Sequence, residues 1–276
     1  MDLGVVATLA RQELIISVRN KWTLVFAAVF GVLVLAISYF GLVTAGEVGF
    51  QGFVRTSASL LNLVLYVVPL MALSMGTQTF TSEKNSGELL YSQPVTRAEI
   101  VLGQLAGLFL SIFTATLVGF GLAGIVIASS AGTGGVLRYP LFVGFSLWLA
   151  LIFLGVAALV CAVCQRQAKA FGVALLVWFF FVVLYDLLVI GATFVLREWT
   201  ANRFIFVSLF GNPVDMVRVI SLIVLDGKDI FGAAGAALVR FLGGEMASAV
   251  LLLLGLAVWA VVPVVIAQRL LRRQDI

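Results

Sequence analysis

Histidine is absent from this chain of 276 residues, and cysteine occurs twice, at Cys161 and Cys164, three positions apart inside an apolar run. These absences exclude a disulfide framework and a histidine-based metal site. Charge is also scarce. Asp, Glu, Lys and Arg make up 11% of the residues, hydrophobic residues make up 62%, and the mean hydropathy is +1.18. A soluble domain carries about 25% charged residues, so this composition is that of a polytopic membrane protein. The net charge of +4 arises from 17 Lys and Arg against 13 acids. Cations spread this thinly suit the flanks of membrane spans and give no reason to expect nucleic acid. No G-x-x-x-x-G-K-[ST] phosphate loop occurs; the nearest glycine cluster, Gly132 to Gly135, lacks the Lys. A phosphate-loop nucleotide site is therefore not expected within this chain, and any ATP must bind elsewhere.

Against this background stand long uncharged apolar runs. Six reach the roughly 20 residues needed to cross a core of about 30 Å: about 22 to 43, 60 to 80, 100 to 128, 140 to 164, 170 to 196 and 247 to 267. They lack the alternation of barrel strands, so the expectation is an all-α membrane protein with six transmembrane helices in one domain. With both termini inside, the inner segments hold ten of the 17 cations: Arg11, Arg19, Lys21, Lys84, Arg97, Arg166, Lys169, Arg269, Arg272 and Arg273. The outer segments are longer in total and hold the other seven. The positive-inside rule then predicts cytoplasmic termini. Before the first run, Leu3, Ala7, Ala10, Leu14 and Val18 recur at helical spacing, predicting an N-terminal interfacial helix. The long charged stretch there speaks against a cleaved signal peptide.

The segment 197–246 is apolar in part but carries Asp215 and Arg218 where a seventh span would have its middle, at a cost of about 3 kcal/mol each. A seventh crossing would also send Arg269, Arg272 and Arg273 outside. The segment is therefore expected to be an outer, partly embedded amphipathic helical region between spans five and six. Asn212-Pro213-Val214-Asp215 reads as a helix start, with an Asn cap, Pro at the first position and an acid at the third. Asp226-Gly227 reads as its stop.

Thr81 to Glu99 places Glu83, Lys84, Glu88, Arg97 and Glu99 between two apolar runs on the inner side. Gly87 is expected to permit a tight bend and Pro94 to start a new direction. A solvated loop is one reading. Residue order supplies another: Phe80, Glu83, Gly87, Glu88, Leu89, Pro94, Val95, Arg97 and Gly103 resemble the signature of the type-2 ABC exporter permeases. Gly87-Glu88-Leu89-Leu90 stands where that family often has Gly-Thr-Leu-Glu, and Gln104 where it usually has a basic residue. The amphipathic start with Glu13 and Arg19, the six spans and the outer helical region extend the resemblance over nearly the whole chain.

The resemblance implies that this segment is a cytoplasmic coupling helix contacting an ATPase through Glu83, Lys84, Gly87, Glu88, Pro94 and Arg97. Gly211-Asn212-Pro213-Val214-Asp215 with Arg218, together with the inner loop, is most similar to the permeases that serve nitrous oxide reductase maturation. That likeness implies a homodimer in the bacterial inner membrane, two cytoplasmic ABC ATPase subunits, and a periplasmic β-helical partner on the outer region. Asn212, Pro213, Asp215 and Arg218 would be docking residues for that partner, in a system supplying copper or sulfur. An exporter of a lipid, glycan or drug, an ion-coupled carrier and a membrane anchor are the other readings. Candidate pathway residues are Asp186, the one ionisable group well inside an expected span, the pair Met71 and Met75, and the pair Cys161 and Cys164; packing is the alternative for each pair. Gly103 and Gly107 form a G-x-x-x-G on the third span, expected to permit close helix contact.

Overall fold

The computed structural model describes residues 2–45, 50–90, 96–131, 138–164, 166–196, 198–225 and 239–273. Every regular element among them is helical. In lipid each backbone N–H and C=O must be satisfied within its own segment, which leaves uniformly apolar runs no alternative to a helix. In chain order the elements are α1 Leu3–Arg19, α2 Lys21–Ala45, α3 Phe50–Leu90, α4 Arg97–Ala131, α5 Tyr139–Val163, α6 Gln167–Phe179, a π turn Phe180–Leu184, α7 Tyr185–Val195, α8 Glu198–Ser208, a 3-10 turn Leu209–Gly211, α9 Pro213–Val224 and α10 Glu245–Arg273. Hydroxyls inside the helices fold back onto their own backbones, as Ser38 does on the Val34 carbonyl at 2.7 Å and Thr77 on that of Leu73 at 2.8 Å.

Five helices are long and apolar enough to span by themselves: Ser59–Thr81, Ala98–Gly121, Tyr139–Val163, Gln167–Val195 and Glu245–Leu271. They correspond to expected spans two to six. The expected first span falls in the 25-residue α2, which is long enough to cross and follows α1 across a 69° bend. A second bent pair, Arg203–Gly211 and Pro213–Val224, turns through 108° and would bring the total to seven if it counted as a span. It forms a hairpin, and it coincides with the outer region expected from the charges.

The buried centre is α5. It packs against α3, α4, α9 and α10, and 78% of its span is buried, against 11% for α6–α7 and 17% for α10. Two glycines bring α5 close to its neighbours. A Cβ on Gly76 of α3 would lie 2.6 Å from the Cβ of Ala157, and one on Gly155 would lie 2.9 Å from Val264 of α10. Beside this core, Phe120 meets Phe30, Tyr139 and Phe142 edge-on, and Tyr139 Oη donates to the Phe120 carbonyl at 3.0 Å.

Two of the helices are much longer than a span. At about 1.5 Å per residue, the 41 residues of α3 extend about 60 Å and the 35 of α4 about 50 Å, against a core of about 30 Å. Both exceed the membrane core in length, and Thr79 of α3 and Glu99 of α4 each bond to α1.

Candidate functional site

Among the described residues, two polar clusters interrupt the apolar bundle, one at the bent hairpin and one where α1 meets α3 and α4.

At the hairpin cluster, α9 begins as the sequence predicts. Asn212 is its cap, with the side-chain oxygen accepting from Val214 N at 3.0 Å and Pro213 following at the first position. The amide end of the same side chain donates to Asp215 at 2.7 Å and to the Phe181 carbonyl at 2.9 Å. Phe181 lies in the π turn, whose wider spacing turns a carbonyl aside from regular helical bonding. Immediately after that turn come Tyr185, whose hydroxyl donates to the Ser208 carbonyl at 2.5 Å, and Asp186. Arg218, one turn along α9 from Asp215, donates to Asp215 at 2.7 Å and reaches Asp186 at 3.4 Å. Trp259 of α10 donates to the Phe210 carbonyl at 3.0 Å. The hairpin is thus tied to spans five and six by side chains bonding backbone carbonyls, with one guanidinium between two carboxylates. A side chain at Gly211 would collide with Tyr185, so the approach needs glycine there.

The structure therefore unites residues that the sequence pattern divides between docking and pathway roles: Asp186 is joined to Asp215 and Arg218. Asn212 is completely buried and Pro213 is buried, and the Asp215 side chain is 14% exposed. Their polar atoms are directed into the bundle and hold the hairpin in place. Outward exposure in the hairpin lies largely on α8, at Arg203, Ile205 and Val207 among others. Met71, Met75, Cys161 and Cys164 all lie in the buried core, where Cys161 Sγ sits 4.0 Å from the Thr77 carbonyl oxygen.

The cluster at α1 is only partly foreseeable from sequence. The third-span glycines do permit close contact, and their partner is α1. A Cβ on Gly103 would lie 2.6 Å from that of Leu9, and one on Gly107 would lie 2.6 Å from both the Ala10 carbonyl oxygen and the Glu13 Cβ. The buried residues of α1 are Ala10, Glu13 and Ser17, whereas Leu3 and Val18 of the expected apolar stripe are exposed. Close contact explains the difference: Leu9, Ala10 and Glu13 lie against the glycines of α4, and the two ends of the stripe, Leu3 and Val18, stay exposed. Glu13 accepts from Thr79 of α3 at 3.0 Å and from Ser17 at 3.1 Å. Burial pushes its carboxyl above the ordinary value of 4.5 in spite of those two donors. At the other end of α1, the Asp2 backbone N–H donates to Glu99 at 2.6 Å. Glu99 also closes a reciprocal cap with Thr96, accepting from Thr96 N at 2.9 Å while its own N–H donates to Thr96 Oγ1 at 3.4 Å. The pattern Thr96-x-x-Glu99 is visible in the sequence and marks this helix start; the engagement of Glu13 with Thr79 has no comparable signal.

Of the expected coupling residues, Glu83, Lys84, Gly87 and Glu88 continue α3 as helix to Leu90. Gly87 therefore lies within a helix and not at a bend. Arg97 opens α4, and Pro94 lies outside the described residues.

Comparison with known proteins agrees with this architecture. The family model described as "ABC-2 family transporter protein" matches residues 7–276. The chain is 34% identical over 280 residues to a probable ABC transporter permease protein NosY of Pseudomonas aeruginosa, covering 99% of this chain and all of that one. It is 33% identical over 277 residues to a probable ABC transporter permease protein NosY of Stutzerimonas stutzeri, covering 96% and 97% of the two. A bundle of membrane-length helices that matches such permeases nearly end to end leaves one conclusion: this chain belongs to the ABC-2 family of transporter proteins.

Proposed function

We propose that this permease works as a homodimer in the bacterial inner membrane with both termini cytoplasmic, and that two separate ABC ATPase subunits, holding ATP and Mg, dock on the segment between α3 and α4. The system it serves is copper-site maturation of nitrous oxide reductase, by supply of copper or sulfur or by relay of force to a periplasmic β-helical protein on the outer hairpin. The observation that carries this reading is the order Phe80, Glu83, Gly87, Pro94, Arg97 at the inner ends of two overlong helices, in a chain with end-to-end likeness to NosY permeases. Charged residues at a helix end suit specific, reversible contact with a soluble partner. The hairpin, pinned to spans five and six by Asn212, Tyr185 and Arg218, is built to move with them and so to present inner events outside.

The test is Glu83→Ala and Gly87→Pro in the permease purified with its ATPase. Because Gly87 is inside a helix, Pro there removes a backbone hydrogen bond and costs about 3 kcal/mol locally. Both variants are expected to reach the membrane but to lose permease-dependent ATP turnover. Intact ATPase binding with wild-type turnover in both variants overturns the reading.

A further inference from the structure

The cluster at α1 has a geometry that a passive anchor helix does not need. α1 packs mainly on α4 and holds that helix at successive levels: the Asp2 backbone at Glu99, Leu9 at Gly103, and Ala10 and Glu13 at Gly107. The order rises along both helices, so α1 runs beside α4 in the same direction. It reaches α3 through the Glu13 carboxylate, which accepts from Thr79 at 3.0 Å. Thr79 lies two residues before Thr81, and Glu99 two residues after Arg97. The contacts of α1 therefore fall on either flank of the proposed ATPase-docking segment. A carboxylate 7% exposed is costly to bury and adds nothing that an apolar side chain against glycine would not supply more cheaply. What it adds is a directional bond to a second helix.

We infer that α1 is a clamp across the base of the coupling segment, and that Glu13 is its positioning residue, fixing the end of α3 to the α1–α4 pair so that a push on residues 81–96 moves α3, α4 and α1 as one body. The inference rests on the proposed docking of an ATPase on that segment. Force then enters the bundle through three helices, and α2, which comes after α1 across the 69° bend, receives it directly from the chain.

The test uses the full permease with its ATPase in lipid nanodiscs and a spin label at Arg11→Cys, an exposed position on α1; the two native cysteines are buried. Addition of ATP and Mg is expected to change the label's mobility. Glu13→Leu and Thr79→Val are expected to abolish that change and to lower permease-dependent ATP turnover roughly five-fold or more, the lower end of ordinary coupling between sites. ATPase co-purification should be unchanged. Glu13→Gln, which still accepts from both hydroxyls, is expected to restore both signals. A label that ignores ATP while turnover remains permease-dependent overturns the clamp and leaves the docking reading standing. An ATPase that neither co-purifies with nor responds to the wild-type permease overturns the docking reading, and the clamp with it. Should Glu13→Leu fail to assemble, Thr79→Val decides: wild-type label response and turnover in that variant overturn the inference.

Discussion

Arg218 is shared between two acids, and the sharing is unequal: 2.7 Å to Asp215, 14% exposed, and 3.4 Å to Asp186, 37% exposed. Removal of the guanidinium leaves two carboxylates close together with one partner gone, whereas removal of Asp186 leaves Arg218 its shorter pair. The loss of one member of a buried ion pair costs about 3–5 kcal/mol, and exposed pairs are worth about 0–1 kcal/mol. This half-buried site falls between those limits. Thermal unfolding in detergent should therefore rank Arg218→Met as the most destabilising, at about 2 kcal/mol. Asp215→Asn should come next, because it weakens the ion pair but keeps the bond from Asn212. Asp186→Asn should cost least. An Asp186→Asn variant less stable than Arg218→Met would show that Asp186 has a stronger partner than Arg218.

The helices show which parts of the structure the sequence could reveal. Boundaries made by backbone chemistry are readable, since Asn212 and Pro213 start α9 where cap and ring geometry require it, and Thr96 and Glu99 form a recognisable box. The buried face of α1 is readable only at Ala10, because an apolar stripe does not reveal that Glu13 and Ser17 pack inside while Leu3 and Val18 stay exposed. The π turn lies in Phe-Phe-Val-Val-Leu, a run too uniform to signal any change of pitch, so its bond to Asn212 and the adjacent Asp186–Arg218 pair could not be foreseen. The close contact between α1 and α4 can be tested directly. Gly107→Leu forces bulk against the Ala10 carbonyl and Glu13, and overpacking of this kind costs about 1–3 kcal/mol. A Ser17→Cys reporter, buried in the wild type, should then become reactive to maleimide as α1 lifts. Gly172→Ala, where a Cβ meets nothing within 4 Å, is the control and should leave the reporter protected. Equal protection in both would mean that the glycines do not govern docking.

The arrangement of the whole chain depends on the bent hairpin. Its two legs, Arg203–Gly211 and Pro213–Val224, are about 14 Å and 18 Å long at 1.5 Å per residue, and neither crosses a core of about 30 Å. A bend of 108° turns the second leg back toward the side from which the first came, and the bonds to the Phe181, Ser208 and Phe210 carbonyls hold that turn in place. If the hairpin stays on one side, the chain crosses through α2, α3, α4, α5, α6–α7 and α10, an even number, which would return the C-terminus to the side of the N-terminus. Arg269, Arg272 and Arg273 at the end of α10 would then lie on the inner face, in keeping with the cation distribution. If the hairpin crossed, those three arginines would lie outside, and Asp215 and Arg218 would sit at mid-membrane. Single-cysteine reporters distinguish the two arrangements. In intact spheroplasts a membrane-impermeant maleimide should label Lys228→Cys, and it should label Asp275→Cys only after permeabilisation. Labelling of Asp275→Cys from outside would make the hairpin a seventh span and place the end of α10 on the face opposite the coupling segment.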